Sequence, residues 1–129
     1  MSREIVATDK APAAVGAYSQ GVVVTGTRTL YVSGQIPLDP ATGAMVGEGD
    51  VGAQAEQVMK NLLGVLEAAG MGYGNVVRAT IFLTDMGDFG TVNEIYARAF
   101  SENRPARACV AVAALPKGVQ VEIDCIAVA

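Results

Sequence analysis

Residues 105–129 constrain what this chain can fold into more than any other stretch. Two apolar runs, from Pro105 to Ala114 and from Val119 to Ala129, flank Leu115-Pro116-Lys117-Gly118. Proline pre-sets φ and glycine tolerates positive φ, so the four residues read as a turn and the whole as a β-hairpin. Side chains alternate along a strand, which puts Arg107 and Cys109 on one face of the first run and Glu122 and Asp124 on one face of the second. Charges within strands this apolar either line a solvated face or form part of a site. Periodicity alone leaves both open.

Composition bounds the rest. The 129 residues suffice for one domain with a real core. Half are hydrophobic, 17% are charged, and the mean hydropathy is positive. A small monomer has much surface to keep wet, so this balance points to apolar surface covered by a second copy. The net charge is −4 with nine basic residues and no basic cluster, which argues against nucleic acid or anionic lipid as partners. No run of eighteen apolar residues occurs and the first residues lack a signal-peptide core, so a cytoplasmic protein without membrane contact is expected. Cys109 and Cys125 are expected as free thiols. The chain contains no histidine, which removes Ser-His-Asp and Cys-His machinery and histidine metal sites. Chemistry here must run on Arg, Asp, Glu, Tyr, Ser, backbone groups or water.

In chain order, residues 3–7 suggest a first strand, Tyr18 to Thr25 a second and Thr29 to Ser33 a third, followed by a loop from Leu38 to Asp50. Ala55, Val58, Leu62, Val65, Leu66 and Ala69 recur at helical spacing, with Asp50 as N-cap, a Glu56–Lys60 pair, and Gly70 or Gly72 as the stop. Asn75 to Thr84 reads as a strand, with Val76 to Leu83 as its apolar run. Phe89, Val92, Ile95, Tyr96 and Phe100 mark a second amphipathic helix ending near Asn103. The order β-β-β-α-β-α-β-β predicts a single α+β domain over residues 1–129, two helices covering one face of a single mixed sheet. The other face stays uncovered within the chain, a second reason to expect an oligomer. Gly70-Met71-Gly72-Tyr73-Gly74 follows a helix instead of a strand and is no dinucleotide loop. Ser19 and Ser33 have no histidine partner and read as ordinary strand residues.

Four motifs in order carry a resemblance. Gly16-Ala17-Tyr18-Ser19-Gln20, Ser33-Gly34-Gln35-Ile36-Pro37, Asp88-Phe89-Gly90-Thr91-Val92-Asn93 and the 105–127 run resemble the reactive-intermediate (enamine/imine) deaminase family, also called the YjgF/YER057c/UK114 or RidA-like family. The resemblance spans essentially the whole chain. It implies a chorismate-mutase-like α+β fold and a homotrimer with clefts between subunits. It also implies hydrolysis of 2-imino or enamine acids, such as 2-iminobutanoate and 2-iminopropanoate, to 2-oxo acids and ammonia, with no metal or organic cofactor. Carried over by motif, Arg107 binds the substrate carboxylate and Glu122 holds and polarises the attacking water. The backbone at Gly34 and Cys109 lines the pocket, and Tyr18 and Asn93 approach from the cleft, from the neighbouring chain.

The residue chemistry agrees. A guanidinium fork matches a carboxylate, an iminium carbon is already electrophilic, and a carboxylate within reach of a water suffices as base. Simpler readings stand beside these: Tyr18 as a strand aromatic facing the core or an interface, Asn93 as a polar helix residue, Cys109 as a small buried hydrophobe, and Asp124 as a polar strand residue or part of an ion pair. A hairpin turning at Pro116-Lys117 would put Glu122 opposite Ala111, four residues and roughly 13 Å from Arg107. A shared small ligand then needs both side chains to lean inward, a bulge, or a contribution from another chain.

The chain departs from the family pattern at Ala17, where many members carry proline, and at Arg104, where an aromatic often precedes Pro-Ala-Arg, after a shortened loop. Beside the imine deaminase stand an aminoacrylate deaminase of pyrimidine breakdown and a non-catalytic trimeric binder or sensor of small 2-oxo acids. Retention of both Arg107 and Glu122 weighs for an enzyme. Nucleic-acid cleavage fits poorly with the acidic balance and the missing histidine.

Overall fold

The computed structural model describes residues 1–102 and 104–129. Strands β1 (Ser2–Val6) and β2 (Gly21–Thr25) form an antiparallel ribbon. Strands β3 (Thr29–Gln35), β4 (Val76–Leu83), β5 (Ala106–Ala111) and β6 (Val121–Val128) form a four-stranded sheet in the order β3-β6-β4-β5. Helices α1 (Val51–Ala68) and α2 (Phe89–Ala99) pack on one face of it, giving the expected α+β domain.

The C-terminal hairpin does not form. β4 lies between its two arms, pairing parallel with β5 and antiparallel with β6. The chain reaches β5 from β4 through α2, and a helical crossover delivers a strand parallel to the one it left. Residues 112–120 then pass over the end of β4, where Val112 N–H donates to Leu83 O at 2.8 Å and Thr84 N–H donates to Gln120 O at 3.3 Å. The Pro116-Lys117-Gly118 turn is real, with Lys117 and Gly118 at φ of 58° and 70°, but it redirects a wide connection.

The single sheet expected from the sequence is likewise divided. At the β2–β3 corner the N–H groups of Thr27 and Arg28 both donate to Ala129 O at 3.0 Å, so the corner turns to the C-terminus instead of running β2 alongside β3. Gly26 permits this approach, since a Cβ there would fall 2.6 Å from Val128 Cγ1. The second strand begins only at Gly21. Tyr18 and Ser19 sit in the preceding loop, where the Gln20 amide donates to Thr8 O (3.0 Å) and Ala11 O (3.2 Å).

Helix α1 follows its sequence signals. The Asp50 side chain accepts from Ala53 N–H at 3.1 Å, and Gly70, at φ 72°, closes the end as Met71 N–H donates to Leu66 O. Glu56 pairs with Arg98 of α2 at 2.7 Å, not with Lys60, because the two helices lie side by side and the longer arginine reaches across. Helix α2 ends at Ala99; Asn103, near which its end was expected, lies outside the described residues.

Ala55, Val58, Leu62 and Leu66 of α1 and Val92 and Tyr96 of α2 bury against Ala79, Ile81 and Leu83 of β4 and Val121, Ile123 and Cys125 of β6. At about 25 cal/mol per Å² of apolar surface, each large side chain here contributes roughly 1.5–3 kcal/mol. The opposite face carries no helix. Across it run Val110, Phe82 and Glu122 in one row and Tyr31, Ile126 and Arg78 in another, with Tyr31 74% and Val110 42% exposed.

Candidate functional site

Strand β5 is an edge strand of the four-stranded sheet, so a side chain on its helix-side face lies at the rim of the core. Arg107 is opposite the buried Ala79 and therefore points under α2. Its Nη1 donates to Asn93 Oδ1 at 2.6 Å. Three rings close around the guanidinium carbon, with centroids at 5.4 Å for Tyr18, 5.5 Å for Phe89 and 5.1 Å for Tyr96. Phe89, Asn93 and Tyr96 are spaced by four and three residues on α2, so one helix face supplies two rings and the amide. Gly16 completes the enclosure, because a Cβ there would lie 3.6 Å from Arg107 Nη2 and 3.7 Å from the Tyr18 ring.

A guanidinium over an aromatic face gains about 0.5–2 kcal/mol per contact, and the gain rises as water is excluded. The aromatic rings thus hold the cation while leaving its charge uncompensated. Among the described residues no carboxylate pairs with Arg107; the ion pair is Glu56–Arg98. Tyr96 is fully buried, its hydroxyl has no partner among the described residues, and burial raises its pKa far above the ordinary value. Cys109 lies two residues along on the same face of β5, partly buried, and burial pushes its thiol up against a smaller lowering by Arg107. It remains a thiol at neutral pH and is a poor nucleophile.

Glu122 lies elsewhere. It sits opposite Phe82 on β4, three residues from Ala79, so it projects from the open face while Arg107 projects from the helix face. There it packs against Gly34, in the bulge that shifts the β3–β6 register between Val32 and Gln35. A Cβ on Gly34 would overlap the Glu122 carboxyl group, reaching 2.8 Å from Cδ. Glycine is the residue that fits beneath this carboxylate.

The six residues marked by the sequence thus fall into two groups. Arg107, Asn93 and Tyr18 meet within one chain, with Cys109 beside them. Glu122 and Gly34 form a second group across the sheet. Sequence reasoning passed over Phe89, Tyr96 and Gly16 as parts of the site. The first two read only as the apolar stripe of α2, although Asn93 shares their face. Among the described residues no group of three or more Cys, Asp and Glu is placed to hold a metal ion.

Fold and site together define a class: a single-domain α+β protein with a four-stranded mixed sheet, two helices on one face and an arginine at the sheet edge. Residues 8–129 match the family described as Endoribonuclease L-PSP. The chain is 58% identical to protein DfrA of Myxococcus xanthus over 128 residues, 99% of this chain and 97% of the relative. It is 56% identical to the 2-iminobutanoate/2-iminopropanoate deaminase of Rattus norvegicus over 126 residues, 98% of this chain and 90% of the relative. Among solved structures, TdcF of E. coli with bound serine aligns with a TM-score of 0.73 at 40% identity, covering 98% of each chain. The chain belongs to this family, which is the reactive-intermediate deaminase family its motifs resemble. No helix is long and apolar enough to cross a membrane, among the described residues.

Proposed function

We propose that this protein hydrolyses small 2-imino and enamine acids, 2-iminobutanoate and 2-iminopropanoate among them, to 2-oxo acids and ammonia. The observation that carries the reading is Arg107, a guanidinium held by three rings and a neutral amide with no protein carboxylate against it among the described residues. Such a group has donors free for a carboxylate on a small ligand, and the planar fork suits two parallel hydrogen bonds. The deaminase name of the rat relative and the serine bound to TdcF support a ligand of amino-acid size.

The chemistry follows from the positions. Arg107 docks the carboxylate and thereby fixes C2, the imine carbon. Glu122 accepts a proton from a water as its oxygen bonds to C2, and the C=N π electrons pass to nitrogen. Return of that proton to nitrogen gives a carbinolamine, and transfer of its hydroxyl proton to nitrogen, as the C–N bond breaks and C=O forms, expels ammonia and leaves the 2-oxo acid. An enamine enters the same path after protonation at C3. General-base assistance of this kind contributes about 10²–10⁴-fold.

Arg107 and Glu122 project from opposite faces of one chain, so a ligand touching both needs two chains. We therefore propose a homotrimer in which the β5 rim of one copy meets the open face of the next. A heterologous contact that closes after three copies buries Tyr31, Phe82, Val110 and Ile126 and brings one copy's Arg107 to its neighbour's Glu122.

The test is competition for the imine. An amino-acid oxidase generates 2-iminopropanoate or 2-iminobutanoate, semicarbazide traps it, and formation of the semicarbazone is followed. Wild-type protein is expected to suppress semicarbazone formation, and Arg107→Ala and Glu122→Gln to lose that effect. Folded wild-type protein that leaves the trapping rate unchanged with several imino acids defeats the proposal and leaves a 2-oxo-acid binder as the reading to test.

A further inference from the structure

Tyr18 contributes a ring to the arginine enclosure but belongs to no strand or helix. Its position depends on the loop at residues 16–20, and this loop is tied to the approach to β5 by three hydrogen bonds. Arg104 Nη1 donates to Gly16 O at 2.9 Å, Ser19 N–H donates to Pro105 O at 3.1 Å, and Ser19 Oγ donates to Arg104 O. Gly16 O accepts a second bond, from Tyr18 N–H at 2.8 Å. That bond closes a three-residue turn centred on Ala17, and because Ala17 is not at positive φ, the turn is of the inverse γ type. One carbonyl therefore takes both the turn that aims Tyr18 and the side chain that fastens the turn to β5.

We infer that Arg104 is a positioning residue. Its guanidinium buckles the 16–19 loop to the segment leading into β5, three residues before Arg107, and so sets the Tyr18 ring and the Gly16 backbone against the Arg107 guanidinium. Ser19 supplies the second half of the buckle, which accounts for its burial in a loop. The inference rests on the reading of Arg107 as the carboxylate anchor. Arg104 itself touches neither substrate nor reacting atoms; it acts through Gly16 and Tyr18. Because the buckle shapes the ground-state binding site, its loss falls on KM and spares kcat.

Proline at 17 provides an independent check. Among the described residues the Ala17 N–H donates to no acceptor, and an inverse γ-turn has the φ that proline imposes, so Ala17→Pro stiffens the same turn without Arg104. In the imine-trapping assay, Arg104→Ala is expected to raise KM by about fivefold or more with kcat within about twofold of wild type. Arg104→Lys, which can still donate to Gly16 O, should recover part of the loss. Adding Ala17→Pro to Arg104→Ala should recover most of it. Hydrogen exchange of residues 13–20 reports the same buckle without substrate, and is expected to quicken in Arg104→Ala and slow again in the double variant. A KM for Arg104→Ala within twofold of wild type overturns the positioning role, as does a loss confined to kcat. If wild-type protein turns over no imino acid, the functional reading fails on its own. Exchange then decides the buckle, with faster exchange in Arg104→Ala upholding it and unchanged exchange overturning it.

Discussion

The two charged side chains of the proposed reaction are held in opposite ways. Arg107 is enclosed on the helix side of the sheet by Tyr18, Phe89 and Tyr96, fastened to Asn93 and backed by Gly16. These contacts all lie within one chain. Glu122 rests on bare backbone at Gly34, on the face of the sheet that carries no helix among the described residues. In the proposed site the arginine half is a receptor for an anion, and the glutamate half is a carboxylate displayed on the face proposed to meet a second copy. On the proposed reading, a folded monomer can bind a carboxylate but cannot act on it, and the proposed trimer supplies the missing step.

That contrast can be broken at either half. The largest effect is expected at Arg107. Arg107→Ala removes two charge-assisted hydrogen bonds to substrate, worth about 1.5–3 kcal/mol each, so kcat/KM should fall by roughly 10³-fold or more. Arg107→Lys should recover little, because a point charge cannot replace the fork between three rings. Recovery to within tenfold by lysine would reduce the aromatic enclosure to packing. At the other half, Gly34→Ala places a methyl group where the Glu122 carboxyl lies and must displace it. The expected loss is about 10²-fold in kcat with product-analogue affinity within a few-fold of wild type. A loss of affinity in place of kcat would move Glu122 into the binding half.

The smallest effect concerns the buried side of the sheet. Burial pushes the Cys125 thiol up to about 12, from an ordinary value near 9. A pKa raised by folding means that the thiol's contribution is complete below pH 9 and is lost as pH rises from there towards 12, since the unfolded chain ionises first. The stability gap between wild type and Cys125→Ala should stay constant from pH 6 to 8 and narrow by on the order of 1 kcal/mol at pH 10, measured by denaturant unfolding. A gap that holds at pH 10 would mean the thiol is far less enclosed than the core around Ala79 and Ile81 implies.

Much of this was legible from residue order. The apolar spacing of α1, its Asp50 cap and its Gly70 stop each act over one turn of chain, and local signals of that kind survive folding unchanged. The partners of the last two strands were not legible. Periodicity tells which side chains share a face but not which strand lies alongside, and Val76–Leu83 offers an edge to each of the two terminal runs. Sequence neighbours were thus read as sheet neighbours, and Arg107 and Glu122 were measured along a hairpin that does not exist. Their separation by face follows only once β4 is known to lie between them. Phe89 and Tyr96 were read as core because aromatic residues on an amphipathic helix usually are. Arg104 drew notice as a departure, but its bond to Gly16 spans 88 positions and leaves no local trace.

The central claim is that catalysis requires one copy's arginine and another copy's glutamate, and mixing two inactive variants tests it directly. Arg107→Ala and Glu122→Gln proteins are unfolded together, refolded as mixed oligomers and assayed for imine hydrolysis. Random assembly at equal proportions joins an intact Arg107 to an intact Glu122 at about a quarter of the clefts, so roughly a quarter of wild-type activity should return. Mixed oligomers that form and stay inactive would contradict the account and place the whole site within one chain.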